Sequence, residues 1–421
     1  MLRLARVLVL IAGLGIAMLG LVGGSIGVFI SVLANDADRL AMITLIVSAM
    51  ILAIGLGTIL AWQAWQAIRG TPSTTFRPKQ IWLLALLFPL AVLMGHLILS
   101  LNLLPVVSFP LFHVVVAALP PVFLLSLVGR GLGEVISRRD LVLQFSSGAF
   151  LSTLIAFALE AIAGLGVLTA AFLSVIIQPG GPALLQDLAK YLQDPTWLQD
   201  PLALTPSLLS PIIMGTVLAF VAGIVPLIEE AVKTIGVGIM AYRRPTLPQA
   251  FFWGLAGGAG FAFVEGLLNT SGNLQTWAPA AVLRVGATLL HCFTGALMGL
   301  AWYNVLAKRR WGYGVGLYCA SVAVHGLWNA LSAAIAFVSL QALGGDPAND
   351  TLMLSGFGVL AILALLLVLA LAIALAFIGL TRHVRKRSLS PDRTKAHTPT
   401  PSPAAADPQH VPDEKEAAQE E

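Results

Sequence analysis

Two adjacent carboxylates and a lysine, Glu229, Glu230 and Lys233, stand in the otherwise uncharged stretch PLIEEAVKTIGVGIM. Further along come Glu265 in GFAFVEGLL, His291 in LLHCFTGALMG, and His325 with Asn329 in VAVHGLWNAL. Carboxylates that take a proton from water, imidazoles that move protons or bind metal, and an amide that donates hydrogen bonds are components of hydrolytic chemistry. Each also has a plainer use. Either glutamate can pair with Lys233 along one helix, Glu265 can neutralise Lys233 or Arg284, and a lone histidine in an apolar helix is ordinarily a hydrogen-bonded core residue. That structural reading is retained for His96, His113, Glu160 and Arg284.

Spacing narrows the choice. Neighbouring helical residues point about 100° apart, so one of Glu229 and Glu230 pairs with Lys233 while the other faces a cavity. His325 and Asn329 lie at i, i+4 and can address one ligand or one reacting oxygen. Phe261 and Glu265 share a face in the same way, beyond Gly254 and Gly258, whose small-xxx-small spacing lets a neighbouring helix approach closely.

The elements that must position these side chains are set by composition. The chain has 421 residues, 58% of them hydrophobic and 10% charged, against about 25% charged in an ordinary soluble domain. Runs such as LSGFGVLAILALLLVLALAIALAFIGL exceed the ~20 apolar residues that cross a hydrocarbon core. Breaks between runs predict ten spans, at 5–33, 40–67, 81–101, 107–128, 141–178, 207–241, 250–270, 279–305, 313–338 and 353–380. The expected fold class is all-α, a polytopic transmembrane helix bundle. The first run is too long for a cleaved signal peptide and reads as a retained helix. An ionisable group at the bilayer centre costs about 2.5–3.5 kcal/mol, so the charged residues of the later spans call for a function.

Basic residues alternate between connecting segments. Arg3 and Arg6, Arg69 to Lys79, Arg130 to Arg139, Arg243 and Arg244, Lys308 to Arg310, and Arg382 to Arg387 form one set, while the intervening loops carry mostly aspartate. By the positive-inside rule both termini are cytoplasmic. The expected organisation is five N-terminal helices in 1–178, an extracytoplasmic loop in 179–206 with a short amphipathic helix, a four-helix catalytic core in 207–338, a last helix in 339–387, and a disordered cytoplasmic tail in 388–421 rich in Pro, Ala and Thr. The net charge of +4 sits in short loops as an orientation signal, and no nucleic-acid partner is expected. Cys292 and Cys319 lie in apolar segments and offer neither a disulfide framework nor a CxxC metal site.

Depth provides a further constraint. Measured from the basic ends, Glu230 precedes Arg243, Glu265 follows Ala250, His291 precedes Lys308 and His325 follows Arg310 by 13–17 residues each. At about 1.5 Å per residue all four lie ~20–25 Å in, level enough to share one cavity.

In order, Glu229-Glu230-x-x-Lys233, Phe261-x-x-x-Glu265, His291 and His325-x-x-x-Asn329 resemble the motif series of the PrsW proteases, relatives of the type II CAAX prenyl endopeptidases. The resemblance covers about residues 220–335. It implies a peptidase of membrane-associated proteins, with membrane-spanning anti-sigma factors as a substrate class, in the cell membrane of a prokaryote. Glu265 stands where the CAAX branch has histidine, so prenylated substrates are not implied.

On that reading Glu229 or Glu230, with Glu265, holds and deprotonates the attacking water, His325 and Asn329 donate to the oxyanion, and His291 orients a carboxylate or serves as the acid, with Lys233 and Phe261 in support. The expected mechanism is metal-free and glutamate-based, with no cofactor. The alternative is zinc held by Glu265, His291 and His325. No HExxH helix is present. The competing function is a proton- or ion-coupled transporter, whose relays also place charged groups at the midplane.

Overall fold

Apolar runs of this length satisfy their backbone polar groups only as helices, and helices are what form. The structure, a computed structural model, describes residues 2–33, 39–132, 136–177, 186, 189, 211–344 and 349–388. Among them, ten helices are long and apolar enough to cross a membrane: α1 Arg3–Leu33, α2 Arg39–Ile68, α3 Ile81–Ser100, α4 Pro105–Leu132, α5 Arg138–Ser174, α6 Pro211–Arg243, α7 Leu247–Ser271, α8 Trp277–Ala307, α9 Trp311–Gln341 and α10 Ser355–Arg387. Their number and order match the expected spans. The surface helix expected in 179–206, save the helical positions Gln186 and Ala189, and the tail beyond Ser388 lie outside the described residues.

Helix α7 is the centre of the bundle. It packs on α2, α4, α5, α8 and α10, and nearly every residue from Ala250 to Phe263 is buried. The sequence permits this because α7 is built of small residues on the side that meets α8. A Cβ added to Gly254 would overlap the carbonyl of Gly295, and one on Gly258 would overlap the carbonyl of His291. The two backbones therefore touch, and dispersion over that contact replaces the hydrophobic drive that lipid cannot supply. Helix α1, by contrast, packs along α2 and exposes large apolar side chains such as Leu19 and Phe29 toward lipid.

The two longest expected runs are both irregular. Helix α5 contains a π-turn over Ser147–Ser152. Helix α6 contains a π-turn over Phe220–Ile224, runs as regular helix over Val225–Val232, and breaks at Lys233 and Thr234 before resuming at Ile235–Ile239. At the break the Val237 amide donates to Thr234, and the Lys233 carbonyl accepts from the Ser152 hydroxyl of α5 at 3.2 Å. Backbone groups freed inside a bundle are re-satisfied by neighbouring side chains in this way. The adjacent glutamates sit in the regular turn just before this break.

Candidate metal centre

The π-turn of α6 is pinned from α9. Asn329 donates through its amide to the Val221 carbonyl at 3.0 Å, and Gly326 abuts the carbonyl of Ala222 so closely that a Cβ would not fit. One turn on, Tyr318 of α9 donates to the Leu227 carbonyl at 2.8 Å. These ties set the rotation of α6 and bring Glu229 and Glu230 against α8 and α9. Glu229, Glu230, Lys233, His291 and His325 are all buried.

Lys233 and Glu230 form the inner pair. The ammonium has three protons to donate, and it meets Glu230 Oε1 at 2.5 Å, His291 Nδ1 at 2.9 Å and Thr294 Oγ1 at 3.3 Å. Its Nζ also lies 5.5 Å from the centre of the Phe261 ring, over a face that attracts cations. Glu230 Oε1 accepts as well from His325 Nδ1 at 2.8 Å, while Glu230 Oε2 is buried with no hydrogen-bond partner.

The histidines are then fixed by what closes each ring nitrogen. The Lys233 ammonium can only donate to His291 Nδ1, which assigns the ring proton to Nε2, 2.6 Å from the accepting Glu265 Oε2. His325 has its proton on Nδ1, toward Glu230, and turns the Nε2 lone pair toward Glu229 Oε2 at 3.7 Å. That carboxylate oxygen has no hydrogen-bond partner either. These two atoms face each other at a distance too long for a hydrogen bond. The two imidazoles meet edge to face, 4.9 Å between ring centres.

One donor atom from each of Glu229, His291 and His325 lies within 4.8 Å of the other two. A carboxylate and two neutral imidazoles are a zinc-type donor set that leaves a coordination position open, so these residues fit a catalytic metal.

Residues 137–371 match the family described as PrsW family intramembrane metalloprotease. The chain belongs to the PrsW family. Searches of curated proteins and of solved structures gave no match. The PrsW match reaches well beyond the motif series, taking in α5 and the first half of α10, and α5 supplies Ser152 to the break in α6.

Membership of a metalloprotease family, together with the Glu229, His291 and His325 cluster, overturns the expected metal-free, glutamate-based mechanism and points to a metal-dependent one. Glu265 lies behind His291 rather than beside His325, because Arg284 holds it at 3.0 Å and Asn269 donates to it at 3.1 Å. The carboxylate that joins the two histidines is Glu229. Asn329 turns its amide onto the α6 backbone. Of the residues read as structural, His113 donates and accepts among hydroxyls far from this site, whereas Arg284 stands directly behind Glu265. Its position two turns before His291 on α8, with Thr294 one turn after, is the signal that could have marked both.

Proposed function

We propose that this PrsW-family chain is a metal-dependent intramembrane endopeptidase in which Glu229, His291 and His325 hold a divalent ion, zinc by the chemistry of the donors. The observation that carries the reading is the cluster of Glu229, His291 and His325, in which Glu229 Oε2 is buried without a hydrogen-bond partner and lies 3.7 Å from His325 Nε2. Glu229, His291 and His325 would hold the ion, and it would supply Lewis acidity toward a carbonyl or a water there.

The remaining groups of the chain divide the work around it. Glu230 is anchored through Oε1 by Lys233 and His325, which leaves Oε2 free to take the proton of an attacking water and return it to the leaving amine. Lys233 pairs with Glu230 Oε1 and gives up its contact with the His291 lone pair when the lone pair is needed. Glu265, locked by Arg284, orients His291 from behind, as carboxylates do behind metal-bound histidines. Asn329 acts as a positioning residue through the π-turn of α6.

The substrates are membrane-associated proteins, with single-span anti-sigma factors as one class. The core is 207–338 supported by the helices of 1–178, the basic loops and both termini face the cytoplasm, and the chain resides in the cell membrane. Purified protein in vesicles is expected to cleave a single-span reporter, to lose cleavage on exhaustive chelation, and to regain it with zinc. Cleavage unaffected by chelation, or proton flux in place of cleavage, overturns the reading. Orientation is checked separately in a variant lacking Cys292 and Cys319, where single cysteines at Ser73 and Ser388 are expected to be shielded from an impermeant thiol reagent and one at Asn349 to react.

A further inference from the structure

A second site lies at the basic end of the bundle. Between the ends of α6 and α8 a cavity of about 460 Å³ opens, within the range of small-molecule sites. Val237 and Ala241 of α6, Arg244 after it, Trp302 and Tyr303 of α8, and Lys308 just after α8 are among the residues that form its walls. Basic residues at helix C-termini are accounted for by helix dipoles and by orientation signals. A cavity of this size with two of them in its wall is not.

The charges in that wall are uncompensated. Arg243, next to the cavity, pairs with Asp140 at 2.5 Å, but among the described residues neither Arg244 nor Lys308 has a carboxylate partner. Lys308 lies 5.7 Å from the centre of the Tyr303 ring. Arg244 is held in the left-handed region at φ 49°, a conformation that residues with side chains adopt rarely. Two cations flanked by a tryptophan and a tyrosine, at the level where helices leave the apolar layer, are suited to the phosphate of a membrane lipid and to the glycerol edge above it.

We infer that this cavity between α6 and α8 binds the phosphodiester headgroup of an anionic phospholipid through Arg244 and Lys308. The cavity also touches the metal centre's support. Trp302 in its wall donates through Nε1 to Thr234 Oγ1 at 3.1 Å, and Thr234 follows Lys233 at the break in α6. A seated headgroup holds Trp302 against Thr234 and steadies the break.

The test reads lipid retention and does not depend on proteolysis. Full-length protein is incorporated into nanodiscs of phosphatidylcholine with a minor fraction of phosphatidylglycerol, then extracted in mild detergent, and retained lipid is counted by native mass spectrometry. Wild type is expected to keep about one phosphatidylglycerol. Arg244→Gln with Lys308→Gln is expected to lower retention roughly tenfold or more, each basic group near an anionic surface being worth about a factor of five. Ala241→Trp, which fills the cavity and leaves both cations, is expected to lose the lipid as well. The pair Arg309→Gln with Arg310→Gln removes equal charge outside the cavity and is expected to retain it. Equal retention by wild type and the first pair, or equal loss in the control pair, overturns the site. Displacement of the lipid by inorganic phosphate at millimolar concentration would make it a soluble-anion site and overturn the lipid assignment.

Discussion

Two buried histidine clusters share this bundle, and they differ in what closes their ring nitrogens. Around His113 of α4, Nδ1 meets the Ser48 hydroxyl at 3.1 Å and Nε2 meets the Thr270 hydroxyl at 2.8 Å, with Trp277 packed edge-on beside them. Both nitrogens of that neutral ring are satisfied by neutral partners, and the ring joins α2, α4 and α7. Around His291 and His325 the partners are charged, and Glu229 and Glu230 each present a buried oxygen with no hydrogen-bond partner. A closed polar network adds stability and specificity, whereas an open one leaves a group able to bind or react. Burial is the same in both. Unfinished pairing separates them.

The comparison breaks most readily at the metal ligands. Glu229→Gln, His291→Ala and His325→Ala are expected to lower cleavage by about a thousandfold or more and to abolish stoichiometric zinc, measured on purified protein by turnover and metal analysis. The Glu229→Gln midpoint is expected to stay near that of wild type, since Oε2 has no hydrogen-bond partner to lose, whereas His291→Ala and His325→Ala strip buried partners from Lys233, Glu265 and Glu230 and are expected to cost about 3–5 kcal/mol of stability. Loss of folding with retained metal would place these residues with His113. Next in size is Arg284→Gln, which frees Glu265 behind His291. It is expected to weaken zinc binding about 10–100-fold in competition with a chelator, and Arg284→Lys is expected to recover part of that affinity. No change in affinity would make Arg284 a packing charge.

His113→Ala sharpens the other side. It leaves the Ser48 and Thr270 hydroxyls without their ring partner and opens a cavity, so a loss of about 2–3 kcal/mol in stability is expected with turnover per folded molecule unchanged. Unaltered stability with lost turnover would erase the distinction. The smallest effect belongs to Asn329→Ala, which removes one hydrogen bond to the π-turn. About 1 kcal/mol of stability is expected, with turnover reduced through a slackened α6 and zinc affinity retained.

Much of this was legible in the sequence. The ten spans were readable because a lipid-facing helix declares itself by length and apolarity, and the level of Glu230, Glu265, His291 and His325 followed from a constant rise per residue. The pairing of one glutamate with Lys233 was also set by helical geometry, but which one was not. A π-turn adds a residue to its turn and rotates everything after it, so the face of α6 that carries Glu229 cannot be counted from Pro211 through Phe220–Ile224. The same reason hid which carboxylate clusters with both histidines. Glu265 and Glu229 are both one carboxylate away from His291 on paper, and only the Arg284 contact across α7 and α8 decides that Glu265 stands behind the ring. The role of Asn329 was obscured because its partner, the Val221 carbonyl, is a backbone atom freed by an irregularity that no residue type announces.

The pairing of Glu230 with Lys233 within a single turn bears on how the chain enters its membrane. Helices are delivered to the bilayer in the order of synthesis, so α6 arrives before His291 and His325 exist. Unpaired, each buried charge of α6 would add about 2.5–3.5 kcal/mol to the cost of insertion. The 2.5 Å contact lies inside one helix and forms as soon as that helix does, so α6 carries its own counter-ion across the threshold. Ser152 of α5 is already in the bilayer to receive the carbonyl of Lys233. The hydrophobic load of α6 is then judged with Glu229 as its unmatched carboxylate, and that residue keeps its oxygen free until the last helices of the core are threaded around it.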